Sequence, residues 1–189
     1  MTAAWARLND AERSARQMIF FGARRRISGG HRLASAFVKL FCHPLSARFV
    51  DWHKLFPATQ LRLGSADENT QWFRVYAKWL RSKRWVDDED QFDYRAALTA
   101  NPIPSALHIA AAADNVYAAP EDVRHFVEEL GEHDAQLMVY DEISESKQRY
   151  NHLSMLMHPQ AETDIFKNTH GWLNAKLGEE THFGVDTRA

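Results

Sequence analysis

Apolar residues fall at two different spacings along this chain, and the changes between them mark its elements. Ala4, Trp5, Leu8, Ala11 and Ala15 recur at helical spacing and predict an amphipathic helix over residues 3–17. Met18, Ile19, Phe20 and Phe21 then follow one another without alternation and stop at Gly22, which suits a strand covered on both faces. A helix ahead of such a strand normally crosses over from an earlier strand, and none is readable here.

Residues 31–100 read as an insertion rich in aromatics, among them Phe49, Trp52, Phe56, Trp85, Phe92 and Tyr94. Ser65-Ala66-Asp67-Glu68 has the form of a capping box, with Ser65 and Glu68 able to satisfy free amides at a helix start. Trp72, Phe73, Tyr76, Trp79 and Leu80 supply that helix's apolar stripe, and the basic residues 81–84 suit its negative end. The acidic run Asp87–Asp90 reads as a loop.

The remainder alternates regularly. ALHIAAAAD (residues 106–114) predicts a buried strand that ends in an acid, with Pro102 and Pro104 at its entry. PEDVRHFVEELG (residues 120–131) predicts a helix. Pro120 suits the first helical position, Glu121 and Asp122 the positive pole, and Gly131 the exit. AQLMVYD (residues 135–141) reads as the next strand and DEISESKQR (residues 141–149) as a solvated loop. A final helix from about Pro159 presents Ile165, Phe166, Thr169, Trp172 and Leu173 on one side, and residues 178–189 read as a disordered tail.

Strand–helix–strand alternation with buried-type strands predicts an α/β fold: a partial parallel sheet of about three strands, flanking helices and a helical aromatic-rich insertion. The division that follows is a helix and strand over residues 1–30, the insertion over 31–100, a second block of sheet and helices over 101–177, and the tail.

Composition narrows the partners. The chain has 189 residues, 45% hydrophobic and 25% charged, with a net charge of -2, so nothing favours a polyanionic partner such as nucleic acid. Arg24-Arg25-Arg26 beside Phe20 and Phe21 reads as a basic loop after a buried strand. No stretch has the length of a membrane span, and residues 1–17 lack a signal peptide's apolar block, so the expected location is cytoplasmic. The single cysteine, Cys42, has no internal disulfide partner and excludes a thiolate cluster. The ten histidines include no His-Glu-x-x-His, and no metal or other cofactor is expected.

Asp114 and His152 carry the candidate chemistry. Each lies past the end of a predicted parallel strand, where open α/β sheets place their sites. A carboxylate can fix the tautomer of an imidazole that then shuttles a proton to and from a nucleophile. The plain alternatives are a turn residue for Asp114 and a locally bonded loop histidine for His152.

With these residues in view, IPSALHIAAAAD, PEDVRHFVEELG and YNHLSMLMHPQAETDIFKNTHGWL resemble the C-terminal part of the α/β-hydrolase family. MIFFGARRR resembles that family's strand after the nucleophile helix, and WVDDEDQFDY the segment leading out of its cap. The resemblance implies that Asp114 is the acid and His152 the base of a nucleophile–acid–histidine triad. It implies hydrolysis, esterase-like in type, with Ser, Cys or Asp as nucleophile, and a small apolar or ester substrate. It also makes the insertion a cap.

The family's Gly-x-Ser-x-Gly elbow occurs nowhere in the chain. Ser28 follows the wrong strand, and Ser65 is placed at a helix start. The expectation is therefore a truncated hydrolase, inactive by itself, that self-associates through the exposed edge of strand 18–21. The rival expectation is a non-catalytic binding module that uses the aromatic cap.

Overall fold

A computed structural model of the chain describes residues 1–10, 12–27, 48, 55–56, 59–60, 66–114, 117–140 and 148–183. In chain order its elements are α1 (Thr2–Arg7), β1 (Gln17–Phe21), β2 (Leu55–Phe56), β3 (Glu68–Asn69), α2 (Thr70–Arg81), α3 (Tyr94–Ala100), β4 (Ser105–Ala111), α4 (Pro120–Glu129), β5 (Ala135–Tyr140), α5 (Ser154–Met157), a π-helical turn (Glu162–Phe166) and α6 (Lys167–Phe183). They fall into two compact units, Met1–Arg24 with Val86–Ala189, and Arg25–Trp85. Val86–Ala100, grouped by sequence with the insertion, thus lies in the first unit.

The first unit is an α/β structure. Its three-stranded sheet runs in the order β1-β4-β5 with both pairings parallel, from Gln17↔Ser105 to Phe21↔Ile109 and from Ala106↔Ala135 to Ala111↔Tyr140. On one face Leu107, Ile109 and Ala111 join Ile19, Phe21, Met138 and Tyr140 and pack against Met155, Ile165 and Trp172 from the C-terminal helices. On the other face Ala110 meets Ala118 and Val123, with Leu137 and Val139 alongside. Phe20 stacks on His108 at 4.9 Å there, and Phe126 of α4 meets Phe20 edge-on. Cover on both faces is why β1 and β4 read as continuous apolar runs.

Helix 3–17 is corrected. It ends at Arg7, because Asn9 and Glu12 form a reciprocal box that turns the backbone: Glu12 N donates to Asn9 Oδ1 (3.2 Å) and Asn9 N to Glu12 Oε2 (3.1 Å). Trp5 and Ala6 are buried while Ala4 and Ala15 are exposed; Ala11 lies outside the described residues. Arg7 reaches into the acidic run, with Nη2 2.7 Å from Asp87 and Nη1 2.8 Å from Asp90, and its guanidinium covers the Phe92 ring at 4.3 Å.

α4 has Pro120 in its first turn, and Gly131 follows it at a φ of 82°. The sheet strand β4 stops at Ala111, short of the apolar run's end, and residues 112–113 form a turn. α6 continues to Phe183, into the segment expected to lack structure. One glycine, Gly178, costs only about 1 kcal/mol inside a helix, and Glu179 and Glu180 are good helix formers. The loop at residues 141–147 lies outside the described residues.

In the second unit β2 and β3 pair antiparallel through Leu55↔Asn69 and Phe56↔Glu68. Glu68 is therefore in a ladder, and the cap of α2 is Asn69, whose Oδ1 accepts from Gln71 N at 2.7 Å. Ser65 lies outside the described residues. At the other end of α2, Arg25 Nη1 donates to the carbonyls of Trp79 (2.9 Å) and Ser82 (2.8 Å), so a buried arginine satisfies two carbonyls at the helix end.

Candidate functional site

Parallel pairing brings the C-terminal ends of β1, β4 and β5 to one edge of the sheet. Beyond β4, Asp114 N donates to Ala111 O at 3.0 Å, which closes the turn that lifts its side chain clear of the strand. The carboxylate is 3% exposed and accepts from backbone amides three and four residues further on. Oδ1 accepts from Tyr117 N at 2.8 Å, and Oδ2 from Ala118 N at 2.9 Å. These amides fix it from the side that leads into α4.

His152 sits in a turn that is pinned at several points. Ahead of it Tyr150 is fully buried, accepts from Ala113 N at 3.2 Å through its carbonyl, and donates its hydroxyl to Asp164 Oδ2 at 2.6 Å. Asn151 Oδ1 accepts from the amides of Leu153 (3.0 Å) and Ser154 (2.9 Å), while Asn151 N donates to Ser154 Oγ at 2.8 Å. Buried Met155 donates its amide to Asn151 O. These bonds leave His152 at the apex of a tight loop.

The structure brings the two residues together. His152 Nδ1 lies 3.0 Å from Asp114 Oδ2, with the histidine side chain 33% exposed. The distance is that of an ion pair, although the ring N–H is not well aligned on the oxygen. A carboxylate only accepts, so the contact favours a proton on Nδ1 rather than a lone pair there. Burial pushes the Asp114 carboxyl up. The contact with His152 and the amides of Ala118 and Tyr117 outweigh it, and hold the group below the usual carboxylate range.

Two neighbours were not indicated by sequence. The Tyr117 ring lies 5.5 Å from that of His152 at an angle of 30°. Gly22, read only as the end of a strand, approaches His152 directly, and nothing in its local spacing signals that contact. Ser28 and Ser65 lie outside the described residues, so no geometry attaches to either. Among the described residues no group of three or more His, Cys, Asp or Glu is placed to hold a metal ion, and no helix is long and apolar enough to cross a membrane.

Fold and site together define an α/β protein with an acid–histidine pair at the carboxyl edge of a parallel sheet. No family model matches the chain, and no curated protein does. Among solved structures it is similar to the crystal structure of a hydrolase from Pseudomonas aeruginosa PA01, at 18% identity and a TM-score of 0.39, over 84% of this chain and 56% of that one. The chain thus spans little more than half the length of that hydrolase.

Proposed function

We propose that this chain carries the acid and the base of a hydrolytic triad, Asp114 and His152, with the nucleophile supplied from outside these 189 residues. The observation that supports this reading most is the 3.0 Å contact between His152 Nδ1 and a carboxylate itself held by two backbone amides. Nε2 would take the proton of the nucleophile during attack and return it to the leaving group, while Asp114 stabilises the imidazolium. The parent reaction is ester-type hydrolysis through a covalent intermediate. Exposed Tyr117 against the ring, and exposed Leu153, Leu156 and Met157 in the residues that follow it, favour an apolar ester. Residues 31–85 of the insertion would serve as the cap.

Without nucleophile or oxyanion donors the chain should neither turn over short activated esters nor label with a fluorophosphonate. The test is the coding sequence upstream of Met1, read in all frames for Gly-x-Ser/Cys/Asp-x-Gly, followed by assay of the chain extended through that segment. Turnover by the extended chain that falls by at least a hundredfold in His152→Ala is expected. Absence of such a motif, activity that survives His152→Ala, or labelling of the 189-residue chain abolished by Ser28→Ala or Ser65→Ala would each overturn the proposal.

A further inference from the structure

Gly22 lies at the C-terminal end of β1 with a φ of 55°, and its amide donates to Ile109 O at 2.8 Å, which ties it to β4. A Cβ placed on it would fall 2.8 Å from His152 Nδ1, 2.9 Å from His152 Cε1 and 2.9 Å from Met155 Cε. All three distances are well inside van der Waals contact. The methionine terminus is the flexible end of a side chain and could give way. The imidazole has less freedom, because its turn is held by Tyr150 and Asn151 and its Nδ1 must stay beside Asp114. Asp114 cannot follow the ring, since its oxygens are bonded to the amides of Tyr117 and Ala118.

We infer that Gly22 is a positioning residue, whose missing side chain makes the space in which the His152 ring reaches Asp114. Its functional meaning rests on the reading of that pair as acid and base; the geometric claim does not. Two demands meet at this position, a left-handed backbone and an empty Cβ site, and only the second concerns the histidine. Gly131 separates them. It has a φ of 82°, but among the described residues a Cβ there would meet nothing closer than 3.4 Å, an ordinary contact with Thr99.

The experiment follows the Asp114 carboxyl by carbon NMR titration in the wild type, Gly22→Ala and Gly131→Ala. Gly22→Ala is expected to move the Asp114 midpoint up towards the ordinary carboxylate value as the ring is displaced, while Gly131→Ala leaves it unchanged. Equal effects, or no effect of Gly22→Ala, would overturn the inference. Because Gly22→Ala can also weaken folding, its effect on the urea midpoint is compared with and without His152→Ala. Removing the ring should shrink the loss caused by Ala at position 22 to about that of Gly131→Ala. A loss of the same size in both backgrounds, or failure to fold in both, means that backbone conformation alone excludes the methyl group. Neither readout uses turnover, so the outcome stands whether or not the pair proves catalytic.

Discussion

At the scale of single residues, His108 makes the sharpest demand on its surroundings. It is fully buried in β4 between Phe20 and Phe126, and among the described residues neither ring nitrogen has a hydrogen-bond partner. Burial, with His133 at 5.8 Å adding to it, pushes its pKa down from 6.5 to about 4. The unfolded chain therefore binds a proton at His108 that the folded chain refuses over this window. The associated stability is fully present above pH 6.5 and lost as the pH falls towards 4, to a total of roughly 3 kcal/mol. Urea unfolding at pH 7 and pH 4.5 should show that loss in the wild type, and His108→Leu should remove most of it. An unchanged pH dependence in the variant would contradict the assignment. The lowered Asp114 carboxyl contributes in the same direction, at lower pH.

At the scale of elements, the His152 turn is held by local polar bonds as well as by the burial of Tyr150 and Met155. Asn151→Ala would free the amides of Leu153 and Ser154 at the start of α5, at a cost of about 1 kcal/mol, typical of a lost cap. Broadened His152 ring signals should accompany the loss, since the same bonds hold the apex of the turn; sharp, unshifted signals would show that Tyr150 and Met155 suffice. Helices were legible where their signals are local. Pro120 and Gly131 frame α4 because a fixed φ at entry and a left-handed residue at exit are properties of those residues themselves. The apolar spacing of residues 3–17 misled because Asn9 and Glu12 bond the backbone before the periodicity can continue. Ladder pairing moved the start of α2 to Asn69 in the same way.

At the scale of the molecule, β1 pairs only with β4 among the described residues. Because Gly22 N bonds towards β4, the backbone groups of Ile19 and Phe21, at alternate positions, turn away from it. Such an edge, apolar in every residue from Met18 to Phe21, offers a template to another chain. Exposed Leu153, Leu156 and Met157 add uncovered apolar surface, which raises the same tendency. The purified chain is expected to self-associate with rising concentration and to bind a hydrophobic dye strongly. Light scattering from a monodisperse monomer, with cooperative unfolding and little dye binding, would refute this.

The α/β class, the parallel sense of the strands and the positions of Asp114 and His152 past strand ends were all written in local pattern. Buried strands must be apolar throughout, and a polar residue after such a run must sit where the backbone leaves the sheet. The 3.0 Å approach of His152 to Asp114 was decided only in three dimensions. It depends on parallel register across β1, β4 and β5, on the Asn151 turn and on the empty Cβ position of Gly22, and no residue in the chain carries information about contacts so distant in sequence. Arg25 capping the end of α2 and Arg7 gathering Asp87 and Asp90 are of the same kind. Charged side chains are long, and their partners are chosen by the fold that brings them within reach.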